Sequence, residues 1–209
     1  MKYDRVIFDV DGTLVDSKIG IFGGVKCVLK EMNLPEIDDS ILNKFIGTPL
    51  LNAFIDLIGL DEENAKEAVK IFRKNYSETF VLEFGLFDGM VDLIKKLKEK
   101  GATVCIASSK PTVFIHRIIE KLGIADCFTV VSGTGLDKNN EDKKDILKRA
   151  LVDGEKAVIV GDRIFDVKSA KDNGIDCIGV LYGYGAEEEF EGAVAKCRDV
   201  KELRDFLLN

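Results

Sequence analysis

Val6-Ile7-Phe8-Asp9-Val10-Asp11-Gly12-Thr13-Leu14-Val15-Asp16-Ser17 is the stretch on which the reading of this chain turns. An apolar run so near the chain start reads as a buried strand. A carboxylate buried where such a strand ends is costly unless something pairs with it. Two of them, Asp9 and Asp11, spaced by a single residue, ask for a cation. Gly12 lets the backbone turn sharply just past the pair. Four residues thus have room for a metal ligand, a nucleophilic carboxylate and a second acid for proton transfer. The bland alternative is a strand that ends in an acidic Asp-Gly turn.

From about Gly101 onward, short apolar runs alternate with amphipathic stretches. The runs are Ala102–Ala107, Phe128–Val131, Ala157–Val160 and Cys177–Leu181. Successive β-branched and apolar residues are the mark of strands buried on both faces. Between them, Thr112–Leu122, Lys143–Leu151 and Asp166–Asn173 carry helical periodicity, with Gly123 and Gly174 where a C-cap glycine belongs. A βαβ alternation predicts a Rossmann-like α/β core: a parallel sheet with helices on both faces.

The stretch from about Ser17 to Phe84 is different. Ile19, Phe22, Val25, Val28, Leu29 and Met32 recur at helical spacing, and three further faces follow around Ile41–Ile46, Leu50–Ile58 and Ala65–Tyr76. Pro35, Pro49 and Gly59 punctuate them. The expectation is a small α-helical domain, residues 17–84, inserted into a core made of 1–16 and 85–209.

The composition narrows the function classes. The chain has 209 residues, of which 46% are hydrophobic and 32% charged, enough for one large core and a small companion. A net charge of −7 with interspersed signs disfavours nucleic acid polymers and anionic membranes as partners. No apolar stretch approaches the length of a membrane span. No signal peptide is visible before the first strand, so a cytoplasmic protein, monomeric or weakly dimeric, is expected. The five cysteines form no C-x-x-C pair and read as reduced, mostly buried thiols. His116 is the only histidine and sits in a helical pattern with no second histidine or cysteine motif beside it, which argues against a His-based triad or a zinc protease.

In open α/β sheets, sites form beyond the C-terminal ends of the strands. The first run is followed by Asp9 and Asp11, and the second by Ser108, Ser109 and Lys110. A charged loop ending in Lys143-Lys144 precedes the Ala157 run, and Gly161-Asp162-Arg163-Ile164-Phe165-Asp166 follows it. Each cluster alone admits an ordinary explanation, as a helix cap, a solvated charge or a turn. Their recurrence at one rim, in this order, does not.

DVDGTLVDS at 9–17, Ser108, a lysine before a helix and GDRIFD at 161–166 together resemble the haloacid dehalogenase superfamily of phosphohydrolases. The resemblance covers essentially the whole chain. The helical insert is similar to the small cap of the phosphoglycolate phosphatase-like branch. Gly47-Thr48-Pro49-Leu50 and Val180-Leu181-Tyr182-Gly183-Tyr184-Gly185 are also typical of that branch. Two departures are visible: no K-P-x-P surrounds the third-motif lysine, and Asp88-Gly89 stands where Pro-Gly is common.

The resemblance implies a Mg2+-dependent phosphatase acting on a small phosphate monoester: phosphoglycolate, a nucleoside 5′-monophosphate or a sugar phosphate. Asp9 would be the nucleophile, forming an aspartyl phosphate. Asp11 would be the general acid and base. Asp9, the Asp11 backbone carbonyl and Asp162 would hold Mg2+. Ser108, Ser109 and a lysine would bind phosphate, Asp166 would orient a metal-bound water or the lysine, and Gly47 and Thr48 of the cap would meet the substrate. Lys44 and Arg73 are further cap-side candidates. The alternatives are a sugar phosphomutase of the same superfamily and a non-catalytic phosphate-ligand binding protein.

The third-motif lysine has several candidates, and helical phase chooses among them. The helix after Asp142 presents Ile146, Leu147, Ala150 and Leu151 on one face. At about 100° per residue, Lys143 projects near the middle of that face, Lys144 toward its edge and Lys148 further round. Lys143 is therefore expected to be the charge-neutralising residue, with Lys138 and Lys144 solvated.

Overall fold

The computed structural model describes residues 2–138 and 141–209. Strand β1 (Arg5–Phe8) opens the chain. It is followed by the two-residue β2 (Val15–Asp16) and by the helices α1 (Lys18–Glu31), α2 (Asp39–Asn43), α3 (Leu50–Ile58) and α4 (Glu62–Asn75). A π-helical turn, Tyr76–Phe80, continues α4. The chain then runs through β3 (Gly85–Leu86), α5 (Met90–Glu99), β4 (Thr103–Pro111) and α6 (Thr112–Lys121). The alternation continues with β5 (Phe128–Thr134), α7 (Lys143–Lys148), β6 (Ala157–Gly161), α8 (Ile164–Asn173), β7 (Asp176–Val180), β8 (Ala195–Cys197) and α9 (Val200–Leu208).

Six strands form one sheet in the order β5-β4-β1-β6-β7-β8, and every neighbouring pair is parallel. The first strand of the chain thus lies in the middle of the sheet. Its alternate side chains enter two separate cores. Val6 and Phe8 join the cluster covered by α5, α6 and α9, while Ile7 joins Ile146, Leu147, Val167 and Ala170 of α7 and α8 on the other face. Phe8 is in register with Ile106 of β4 and Val160 of β6, so the residues that follow these three converge on one spot. The α/β architecture with a helical cap is as the sequence pattern predicts.

The helical insert leaves and returns through a two-stranded antiparallel ribbon, with Val15 opposite Leu86 and Asp16 opposite Gly85. Within it, α4 shows why these residues make a helix. Asp61 caps it by accepting from the Asn64 N–H, and Ala65, Ala68, Val69 and Phe72 form one buried stripe. Helix α3 ends where Gly59 adopts a left-handed conformation.

Three local expectations need correction. The second apolar run does not end before Ser108. Strand β4 continues through Ser108, Ser109 and Lys110, slips register after Ala107, and pairs again at Pro111 with Thr134. Helix α7 closes at Lys148 rather than Leu151, although Ala150 remains buried. Ile19, counted on the apolar face of the first insert helix, is 64% exposed. It lies at the start of α1, where no layer covers it.

Candidate active site

Asp9 follows β1 directly and is buried, its backbone N–H donating to the Val160 carbonyl at 2.9 Å. The strand therefore fixes this residue's backbone, and its carboxylate is fixed by two donors. The Val10 N–H reaches Oδ1 at 2.8 Å, and the Lys143 ammonium reaches Oδ2 at 2.6 Å. The same ammonium lies 2.7 Å from Oδ1 of Asp166. Lys143 is the first residue of α7 and points inward, whereas Lys144 and Lys148 are exposed. Asp142, the N-cap, accepts from the Lys144 N–H and sets that phase.

Asp162 and Asp166 come from the β6–α8 connection, and both are fully buried. The capping geometry of α8 aims Asp166 back toward the strand end, where its Oδ2 accepts from the Arg163 N–H at 3.1 Å. The Tyr184 N–H donates to Oδ2 of Asp162 at 2.9 Å, while Oδ1 of Asp162 is buried without a hydrogen-bond partner among the described residues. Two glycines make room for this crowding. A Cβ on Gly12, whose φ is +77°, would lie 2.1 Å from an Asp162 oxygen, and one on Gly161 would lie 2.0 Å from the Asp166 carboxyl carbon.

The electrostatics follow from burial. Burial pushes the Asp162 carboxyl well above the ordinary carboxylate range, and the neighbouring Asp166 and Asp9 push it further. Burial also pushes Asp166 up to about 6, an effect partly offset by Lys143. Burial alone would lower the Lys143 ammonium, but Asp166 and Asp9 outweigh it and hold it above the usual lysine value. Oxygens of Asp9, Asp162 and Asp166 all lie within 4.8 Å of one another. Three buried carboxylates, one ammonium and an unpartnered buried oxygen leave negative charge that a metal ion would offset, and the all-oxygen donor set fits a hard cation.

Asp11 stands apart from this cluster. Its two oxygens accept from the ammonium of Lys110 at 2.8 and 3.0 Å. Lys110 is 7% exposed, and its Nζ lies 4.7 Å from the centre of the Tyr76 ring. Burial opposes its charge, but Asp11 more than compensates and raises it above the usual lysine value.

These groups meet in one pocket between the sheet rim and the helical insert. Asp9, Asp11, Ser108, Ser109 and Lys110 line it from the core. Ile21, Phe45, Gly47, Thr48, Leu50, Phe72, Arg73 and Tyr76 line it from the insert. Ser108 is buried, and its Oγ accepts from the Lys110 N–H at 3.3 Å. Asp162, Asp166 and Lys143 lie behind Asp9 without lining this pocket, and Lys143 instead faces a neighbouring cleft with Ser109 and Phe165. Arg73 bridges the cleft, donating from Nη1 to the Leu136 carbonyl and from Nη2 to that of Lys138 at 3.0 Å. Arg163 bridges it elsewhere, donating to the Ile46 carbonyl. Lys44 is exposed at the end of α2 and does not line the pocket, and Lys138 is exposed at its rim. His116 is exposed on α6.

Sequence reasoning singled out one lysine where the structure supplies two. The sequence places Lys110 at the rim, on the strand face of Ser108 two residues earlier, but gives no sign that it pairs with Asp11. Tyr76 gave no signal, since its packing depends on how the insert folds back onto the core.

Residues 6–180 match the model of the family described as "Haloacid dehalogenase-like hydrolase". The chain is 35% identical to a 5′-nucleotidase of Pseudomonas aeruginosa over 99% of this chain and 96% of that protein. It is 33% identical to the tyrosine-protein kinase PtkA of Mycobacterium tuberculosis, over 97% of this chain and 72% of PtkA. The solved structure described as a predicted phosphatase from Clostridium acetobutylicum superposes with a TM-score of 0.92 at 36% identity, covering 100% and 99% of the two chains.

Proposed function

The chain belongs to the haloacid dehalogenase-like hydrolase family, and on that premise we propose that it hydrolyses a small phosphate monoester through an aspartyl phosphate formed on Asp9. It is a phosphoric monoester hydrolase, and the roles of its residues follow from their surroundings. Asp9 is buried at the pocket end of the central strand, with its carboxylate held between Lys143 and the Val10 N–H. A nucleophile fixed in this way attacks phosphorus without first having to be ordered. Ser108 and the backbone after it receive the phosphate oxygens. Lys143, tied to Asp166, neutralises charge that builds on the transferring group.

As the P–O ester bond breaks, Asp11 gives its proton to the leaving oxygen. It then takes a proton from the water that attacks the aspartyl phosphate, which frees inorganic phosphate and regenerates Asp9. Asp9, Asp162 and the Asp11 carbonyl would hold Mg2+, which when bound offsets the repulsion between a phosphate dianion and the attacking carboxylate. The buried Oδ1 of Asp162, within the carboxylate cluster and without a partner among the described residues, is the observation that supports such an ion.

The insert, residues 17–84, acts as a cap that closes over the pocket and excludes water. Phosphoglycolate, nucleoside 5′-monophosphates and sugar phosphates are the candidate substrates, and the named activity of the P. aeruginosa relative puts 5′-monophosphates first in a screen. Turnover of p-nitrophenyl phosphate with and without Mg2+ tests the reaction, and a panel of phosphate monoesters tests the substrate. Absence of any phosphate release across the panel in Mg2+ would overturn the reading.

A further inference from the structure

Asp11 has to deliver a proton to one oxygen and later collect one at the same place, so the plane of its carboxyl matters. Among the described residues, the only hydrogen bonds to that carboxyl come from Lys110, which grips both oxygens at 2.8 and 3.0 Å. Lys110 is itself confined. Strand β4 sets its backbone, it is nearly inaccessible to solvent, and the face of Tyr76 lies 4.7 Å from its Nζ. Tyr76 belongs to the insert, where it stacks on Phe72, and it meets Phe114 of the core edge-on, each at 5.3 Å between ring centres. One chain of contacts thus runs from the insert, through an aromatic ring and an ammonium, to the carboxyl of Asp11.

We propose that Lys110 is a positioning residue that orients Asp11 for proton transfer to the leaving group, with Tyr76 of the insert holding Lys110 in place. This rests on the assignment of Asp11 as the acid and base. A protonated Asp11 is still held, because only one oxygen carries the proton and the other goes on accepting from the ammonium. When the insert moves away, Tyr76 leaves with it and the grip loosens. Proton transfer is therefore best aligned when the pocket is closed.

Leaving-group dependence separates this role from phosphate binding or simple support of the fold. p-Nitrophenolate departs without a proton, whereas ethoxide needs one. The value of kcat/KM reads the first half-reaction, so it is measured for ethyl phosphate and p-nitrophenyl phosphate in Mg2+. Lys110→Met should lower the ratio of the two values at least about 10-fold, the lower part of what a positioned acid contributes. Asp11→Asn should lower it further, Lys110→Met should add nothing in the Asp11→Asn background, and Lys110→Arg should restore most of the ratio. If Lys110→Met fails to fold, Tyr76→Leu should shift the ratio in the same direction by a smaller factor.

A ratio within about twofold of wild type for these variants would overturn the proposal. So would a further loss from Lys110→Met in the Asp11→Asn background, which would mean that Lys110 acts on the leaving group directly. If Asp11→Asn itself lowers both substrates equally, the assignment of Asp11 fails and the positioning role fails with it. An intact Asp11 signature with no Lys110 effect removes the positioning role alone.

Discussion

The two walls of the pocket are made of opposite materials. The core wall is charged and held tightly. Asp9, Asp162 and Asp166 crowd around Lys143, and every one of them is nearly or fully buried. The insert wall is largely apolar, with Ile21, Phe45, Leu50, Phe72 and Tyr76 beside Thr48 and Arg73. Charges at that density are tolerated because β1 and β6 end in register beside β4 and α7 and α8 start next to them. The insert wall is joined to the core by a two-stranded ribbon, by apolar packing such as Tyr76 on Phe114, and by the bridging side chains of Arg73 and Arg163. Under the proposed function, chemistry that needs fixed geometry is assigned to the charged core wall, and selection of the leaving group to the apolar insert wall.

This contrast can be broken at its strongest point first. Asp9→Asn should reduce turnover below about a thousandth of wild type and abolish phosphoenzyme formation, a barrier increase of at least about 4 kcal/mol at 1.4 per tenfold. Residual activity above that level would rule out covalent catalysis by Asp9. Removing the metal should be nearly as severe. EDTA should stop hydrolysis of a small ester, Mg2+ should restore it, and Ca2+ should inhibit because its looser coordination misplaces the nucleophile. Undiminished turnover in EDTA would contradict the metal role.

The helical phase of α7 predicts an asymmetry between adjacent lysines. Lys143→Ala should cost at least about 100-fold in rate, as expected for one preorganised charge-stabilising group, while Lys144→Ala should stay within a few-fold. The same substitution leaves the buried carboxylates of Asp9 and Asp166 without the ammonium that pairs with both. It should lower stability by on the order of 3 kcal/mol in EDTA, and thermal unfolding should show Mg2+ recovering part of the loss.

Changes on the insert wall should be smaller and of another kind. Thr48→Val should reorder a panel of phosphate esters by roughly 10-fold or less, leaving phosphate-mimic binding intact. An unchanged ranking across several Thr48 variants would mean that the insert wall does not select.

The sequence by itself determined the parallel sheet, the inserted helices and most of the charged rim. Apolar runs, helical periodicity and a carboxylate at a strand end are local facts, and strand ends in an open sheet have only one rim on which to meet. It also determined that Lys143, not Lys144, faces inward, because helical phase is counted from neighbouring residues. Only the tertiary structure decided that Lys110 grips Asp11 under Tyr76, that Arg73 and Arg163 cross the cleft, and that Asp162 keeps a buried oxygen without a partner among the described residues. Those contacts join residues 34 to 117 positions apart, or depend on what none of the described residues supplies. They are set by how the insert docks and how three strand ends converge, and no periodicity along the chain encodes either.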